Sequence, residues 1–185
     1  QNCHLEQGRY AIYARQGVRI KTERILIENC SWKQDPEHQM WLGYVTWEQV
    51  KNVTAEGDKK FFDASFFNGA FFGSFDISGD LTLRGNTITH AFNAIRMDVR
   101  PRSVKPSFRL GPKVRRSKNV AIHDTTFSFI RDNAVEPEAG AENWYVFNNR
   151  FLNIHGTFSL DGVACRDMFY FGNTILNNRK PEQGK

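Results

Sequence analysis

Asn119-Val-Ala-Ile-His-Asp-Thr-Thr-Phe127 is followed by Asn143-Trp-Tyr-Val-Phe-Asn-Asn-Arg-Phe151 and Asp167-Met-Phe-Tyr-Phe-Gly-Asn-Thr-Ile175, two steps of 24 residues. In each copy apolar residues alternate for a few positions, the period of a short strand with one buried face. Asn, Asp or Gly then follows, residues that tolerate the left-handed backbone of a sharp corner. Asp80-Leu-Thr-Leu-Arg-Gly-Asn-Thr-Ile88 is the same unit, and the 39 residues from Asp80 to Asn119 make one 24-residue unit plus an insertion of 15. Arg24 to Trp32 also fits, Asn52-Val-Thr-Ala-Glu-Gly-Asp58 fits less closely, and Asn2 to Gly8 opens the series.

Repeats of this length mark a chain that stacks one small unit on the next. The expected fold is therefore all-β, a right-handed parallel β-helix of about seven coils forming a single domain over 1–185. Asn29, Asn86, Asn148, Asn149 and Asn173 are expected at its corners, where stacked side-chain amides bond from coil to coil. A leucine-rich horseshoe lacks its leucines here, and propeller blades need longer repeats. Neither a capping helix nor a polar terminal repeat is evident, so the chain is expected to continue into a longer protein or to meet a partner subunit at its ends.

The second strand of each coil carries the functional expectation. Asn93 to Val99, Asn133 to Ala139 and Gly156 to Gly162 align, placing Ile95, Val135 and Phe158 inward, with Met97, Pro137 and Leu160 two residues on. Arg96, Glu136 and Ser159 then form one outward row, and Asp98, Glu138 and Asp161 the next. Towards the N-terminus Tyr13 and Arg15 join these rows, as do Phe72 and Ser74. Neighbouring parallel strands lie ~4.8 Å apart, so the four carboxylates Glu136, Glu138, Asp98 and Asp161 crowd one patch. Crowding of that kind raises at least one pKa, the condition acid/base chemistry exploits. Asp132 is expected one rung from His155 in the turn before this strand.

The insertion, 100–118, holds Arg100, Arg102, Lys105, Arg109, Lys113, Arg115, Arg116 and Lys118 without an acid. It leaves the strand end that bears Asp98, where arginines would grip planar carboxylates of a sugar acid. The net charge of +5 agrees with an anionic partner. Nucleic acid is the poorer partner, because no aromatic-interleaved element accompanies the basic run and the carboxylates would repel phosphate. No apolar run is long enough for a membrane span. Three cysteines, Cys3, Cys30 and Cys165, are read as small buried residues with no disulfide framework or zinc site.

The stretch Arg131-Asp-Asn-Ala-Val-Glu-Pro-Glu-Ala-Gly140, with Asn143 to Asn149, Phe158 to Leu160 and Phe169 to Asn178, resembles the pectate-lyase-like superfamily. The nearest type is its uncharacterised bacterial D-[DN]-A-[IV]-E repeat proteins. The resemblance implies action on a polysaccharide and a secreted, periplasmic or cell-surface location. Among such proteins hydrolases use paired Asp and Glu, which points here to Glu136 and Glu138 with Asp161 or Asp98. Arg96, Arg131, Tyr13, Arg15, Arg100, Arg102, Arg109 and His155 are the expected substrate contacts. The polygalacturonase motifs N-T-D, D-D and G-H-G are missing, and Arg19-Ile-Lys21 lies at the wrong end of the chain for their fourth motif. Asp35-Pro-Glu-His38 is similar to the D-P-H motif of mannuronan epimerases, with one residue inserted. A lyase or epimerase would instead hold calcium on Asp98, Glu138 and Asp161 and use Arg96 or Arg131 as base. The competing class is a non-catalytic glycan-binding or spacer module.

Overall fold

The computed structural model describes residues 2–15, 22–34, 69–75, 77, 79–98, 116–138, 140–160 and 164–177. These residues form strands and corners with no helix among them, and every strand pairing is parallel. The described residues run in six stacked passes. The first carries β1 (His4–Glu6) and β2 (Tyr10–Arg15). The second carries β3 (Ile25–Glu28), β4 (Ser31–Lys33) and β5 (Ala70–Phe75), and the third β6 (Gly79–Arg84), β7 (Thr87–Ala91) and β8 (Asn93–Asp98). The fourth carries β9 (Ser117–His123) and β10 (Thr126–Glu138), the fifth β11 (Gly140–Phe147) and β12 (Arg150–Phe158), and the last β13 (Ala164–Phe171) and β14 (Thr174–Leu176).

The passes add their strands to three parallel stacks, an arrangement that fits a solenoid; the first pass contributes none to the third stack and the last none to the second among the described residues. The first stack orders β1, β4, β7, the start of β10, the start of β12, and β14. The second orders β2, β5, β8, the end of β10 and the end of β12. The third orders β3, β6, β9, β11 and β13. Strand β10 serves two stacks because it shifts register between Ile130 and Asn133, with Phe129 in the left-handed region just before the shift.

The 24-residue spacing is kept by corner amides. Asn86, Asn149 and Asn173 each accept a backbone N–H of the preceding pass, from Cys30, Thr125 and Asn149 respectively, at 2.9 to 3.0 Å. Their Nδ2 atoms donate to the carbonyls of Ile27, Ile122 and Val146. The residues just before these positions, Asn29, Gly85, Asp124, Asn148 and Gly172, have φ between 51° and 63°, the turn the corner demands. Without these bonds a buried N–H and C=O would go unpaired in every pass, at ~1–3 kcal/mol each.

Inward side chains form files between the stacks. Phe127 stacks on Phe151 with centroids 4.9 Å apart and planes 5° apart. Trp144 and Trp32 are buried and donate their indole N–H groups to the carbonyls of Ser117 and Gln7.

Several expectations are corrected. The unit expected at Asn52 lies outside the described residues, as does all of 35–68, but β3 hydrogen-bonds β6 directly, Ile25 opposite Leu81, so no further pass stands between these two in the third stack. Phe72 and Ser74 point inward, paired with Ile95 and Met97, because the strand is one residue out of the assumed phase. Leu160, expected inward, is 50% exposed, and Cys3 is exposed rather than buried. The basic insertion ends earlier than its charge suggests, since Ser117 and Lys118 already belong to β9.

Candidate functional site

The outward face of the second stack places the carboxylate residues as the alignment of β8 and β10 requires: Arg96 lies opposite Glu136 and Asp98 opposite Glu138. Ser159 continues the first row, its N–H bound to the Val135 carbonyl at 3.0 Å. On the other side Gly73 and Phe75 of β5 extend the two rows to Tyr13 and Arg15 of β2. Inward neighbours Ile95, Met97, Val135 and Pro137 are buried, which fixes the facing of the residues between them.

Arg96 sits between two glutamates. Its Nη2 and Nε donate to Glu138 Oε1 at 3.0 and 3.2 Å, and Nε lies 3.4 Å from Glu136 Oε2. Glu136 Oε1 accepts from Asn133 Nδ2 at 3.3 Å, and the same amide donates to Asp132 Oδ1. Glu136 Oε2 is buried and accepts no hydrogen bond. Burial pushes the Glu136 carboxyl up to about 7, and Glu138 and Asp132 push the same way, against Arg96 and Asn133. Arg96 itself is held above its ordinary value: burial opposes this, but Glu138 and Glu136 outweigh it. A guanidinium in that setting is a poor proton acceptor.

Beside this cluster lies an aromatic shelf that includes two residues absent from the sequence-based expectation, Tyr10 and Gly73. The rings of Tyr10 and Tyr13 meet at 4.9 Å, and a Cβ at Gly73 would run into the Tyr10 ring. A lone glycine inside a strand flanked by aromatic residues was the available signal, since it marks close approach by another group. Arg9 lies 5.5 Å over the Tyr10 ring and Arg15 5.8 Å over the Phe75 ring.

Other expected residues are placed differently. Arg131 and Asp132 are buried where β10 bends, and burial pulls the Arg131 guanidinium down while Asp132 opposes it. His155 is exposed on β12. Asp161, Arg100, Arg102 and Arg109 lie outside the described residues, as do Arg19 to Lys21 and Asp35 to His38. Among the described residues no group of three or more His, Cys, Asp or Glu is disposed to hold a metal. The calcium set expected from sequence needs Asp161, and its member Glu138 already binds Arg96.

No protein-family model, curated protein or solved structure matches this chain. The functional reading therefore rests on the arrangement of its own residues.

Proposed function

We propose that the chain is a right-handed parallel β-helix of the pectate-lyase-like kind. Its outward carboxylates cleave the glycosidic bonds of an acidic polysaccharide, outside the cell or at its surface. One observation carries this reading: Glu136 faces outward beside a second carboxylate, yet burial raises it to about 7, where it is half protonated near neutrality. Glu136 is then the general acid that protonates the leaving oxygen. Glu138, two residues along the same strand face, is the partner carboxylate, at a backbone spacing of ~6.5–7 Å. That spacing falls within the range used by glycosidases. Asp98 flanks Glu138 on the next strand, and Asp161 is the alternative partner named by the sequence. Tyr13, Tyr10 and Arg15 would hold sugars to one side, and the basic stretch with Arg100, Arg102 and Arg109 would take their carboxylates. The proton-acceptor role that a lyase requires is ill matched to Arg96, whose proton two glutamates hold.

The test is incubation with alginate, pectate, carrageenans and glycosaminoglycans, with and without calcium, following reducing ends and the ultraviolet absorbance of unsaturated products. Reducing ends without absorbance are expected, and Glu136→Gln should lower the rate by a factor of about 100 or more with its circular dichroism unchanged. Absorbance would replace the hydrolase with a lyase. No product from any substrate would leave a binding or spacer module.

A further inference from the structure

The corner that leads into the first stack carries one file of side chains along the molecule: Cys3, Cys30, Asn86, Thr125, Asn149 and Asn173. From Cys30 onward each of these side chains accepts the backbone N–H of the file member one pass earlier. Four of the five acceptors are oxygens, Oδ1 of Asn86, Asn149 and Asn173 and Oγ1 of Thr125, at 2.9 to 3.2 Å. The fifth is Cys30 Sγ, 3.4 Å from the Cys3 nitrogen. Sulfur is a weak acceptor, so hydrogen bonding closes the first corner least well. The residue closed there is itself a cysteine.

The backbone around this pair suits a covalent link. Strands β1 and β4 pair in register, His4 opposite Ser31, and the Ser31 N–H donates to the Cys3 carbonyl at 2.8 Å. Cys3 therefore lies opposite Cys30 at one parallel-strand spacing, ~4.8 Å, inside the ~4.4–6.8 Å that Cα atoms span across a disulfide. Cys30 Sγ already rests against the Cys3 backbone, so the bond requires the Cys3 thiol to rotate about its Cα–Cβ bond. Access is unequal: Cys3 is exposed and Cys30 is buried. Cys165 belongs to β13, in the last pass, out of reach of both. The first pass also has the most to gain from a link, since β1 borders only β4 and β2 only β5.

We propose that Cys3 and Cys30 form a disulfide by exchange with a small disulfide oxidant of the glutathione class, and that the bond locks the first pass onto the second. The exposed Cys3 thiol gives up its proton and attacks one sulfur of glutathione disulfide, expelling one glutathione and leaving a mixed disulfide on Cys3. The Cys30 thiolate then attacks the Cys3 sulfur and expels the second glutathione. Two thiols are oxidised, one glutathione disulfide is reduced, and the two protons pass to the expelled glutathiones. The staple is independent of the cleavage proposed for Glu136, and an oxidising exterior is where such a bond persists. To test it, the full chain is incubated with glutathione disulfide, its remaining thiols are alkylated in urea, and its tryptic peptides are mapped without reduction. Thiols should fall from three per chain to one, with the peptide Gln1–Arg9 joined to Ile25–Lys33 and Cys165 alkylated. The Tm of the oxidised chain should exceed that of the reduced chain by about 5 °C or more, the scale of one disulfide in a chain of this size. Cys3→Ser, which changes an exposed side chain, should melt with the reduced chain and lose the rise, whereas Cys165→Ser should keep it. Three thiols per chain after oxidation would overturn the proposal. So would a cross-link between chains in place of the internal one, or an internal bond that leaves the Tm unchanged.

Discussion

Two ion clusters occupy comparable ladder positions on different stacks, and their composition is inverted. On the second stack one cation, Arg96, is shared by Glu136 and Glu138. On the third stack one acid, Glu142, lies between Arg166 at 2.7 Å and Lys118 at 3.2 Å. The outcomes are opposite. The hydrogen bond from Arg166, with further help from Lys118, holds Glu142 down to about 2, whereas burial drives Glu136 up to about 7. Two cations on one carboxylate oxygen thus hold Glu142 ionised, although its Oε2 is buried without a hydrogen-bond partner, as is Oε2 of Glu136. The Arg96 cluster keeps an acid in a strained protonation state where sheet geometry offers a comfortable alternative. That difference in protonation is the support for placing the proposed chemistry on the second stack.

The comparison can be broken at its cation. Arg96→Ala should destabilise the chain by about 3–5 kcal/mol at neutral pH, the scale for stranding buried partner charges. Urea unfolding at pH 7 and pH 4.5 should show part of that loss recovered at the lower pH, where Glu136 is protonated. An equal loss at both values would make Arg96 a packing residue and remove the electrostatic contrast.

Glu136 sharpens the contrast through its sign. Its folded pKa lies above the ordinary 4.5, so between pH 4.5 and 7 the folded state binds more protons than the unfolded one. Stability from this group therefore falls as pH rises across that window, by up to about 3 kcal/mol. Glu136→Gln should raise stability above pH 7 and change it little below pH 4.5, so an enzyme-like loss of activity would accompany a gain in unfolding free energy.

Glu142 should behave in the opposite sense and more weakly. Its depressed pKa contributes stability that is fully present above pH 4.5 and is lost as pH falls towards about 2. Glu142→Gln should lower the Tm slightly at pH 7 and not at all near pH 2, as followed by thermal melts across that range. A larger effect here than at Arg96 would invert the assignment of roles.

The register of the site was legible because Ile95 and Met97, Val135 and Pro137 alternate cleanly with Arg96, Asp98, Glu136 and Glu138, and a parallel partner copies that alternation. It failed one strand away. In β5 the residues from Ala70 to Ser74 are all buried, so no period of two is written there, and Gly73 gives no sign of its facing. The corner asparagines were legible because few residues accept φ near +55°, and Asn29 and Asn148 do. What the sequence hid was the fourth dimension of each row: Glu142 meets Lys118 and Arg166 only once passes 24 residues apart are stacked. The burial of Arg131 was equally hidden, because the bend in β10 turns on a local shift of register and not on composition.

The corner amides also carry a direction. Cys30, Thr125 and Asn149 each have the backbone N–H capped by a side chain from the following pass, Asn86, Asn149 and Asn173 respectively. Each of these three corners thus borrows its closure from sequence still to come. On a ribosome, a pass that has just emerged cannot lock until its successor has been made, so native structure should trail synthesis by one repeat. Under tension the same borrowing makes the two ends unequal: peeling from the C-terminal side exposes one uncapped corner after another, while peeling from the N-terminal side removes recipients and leaves every remaining cap in place.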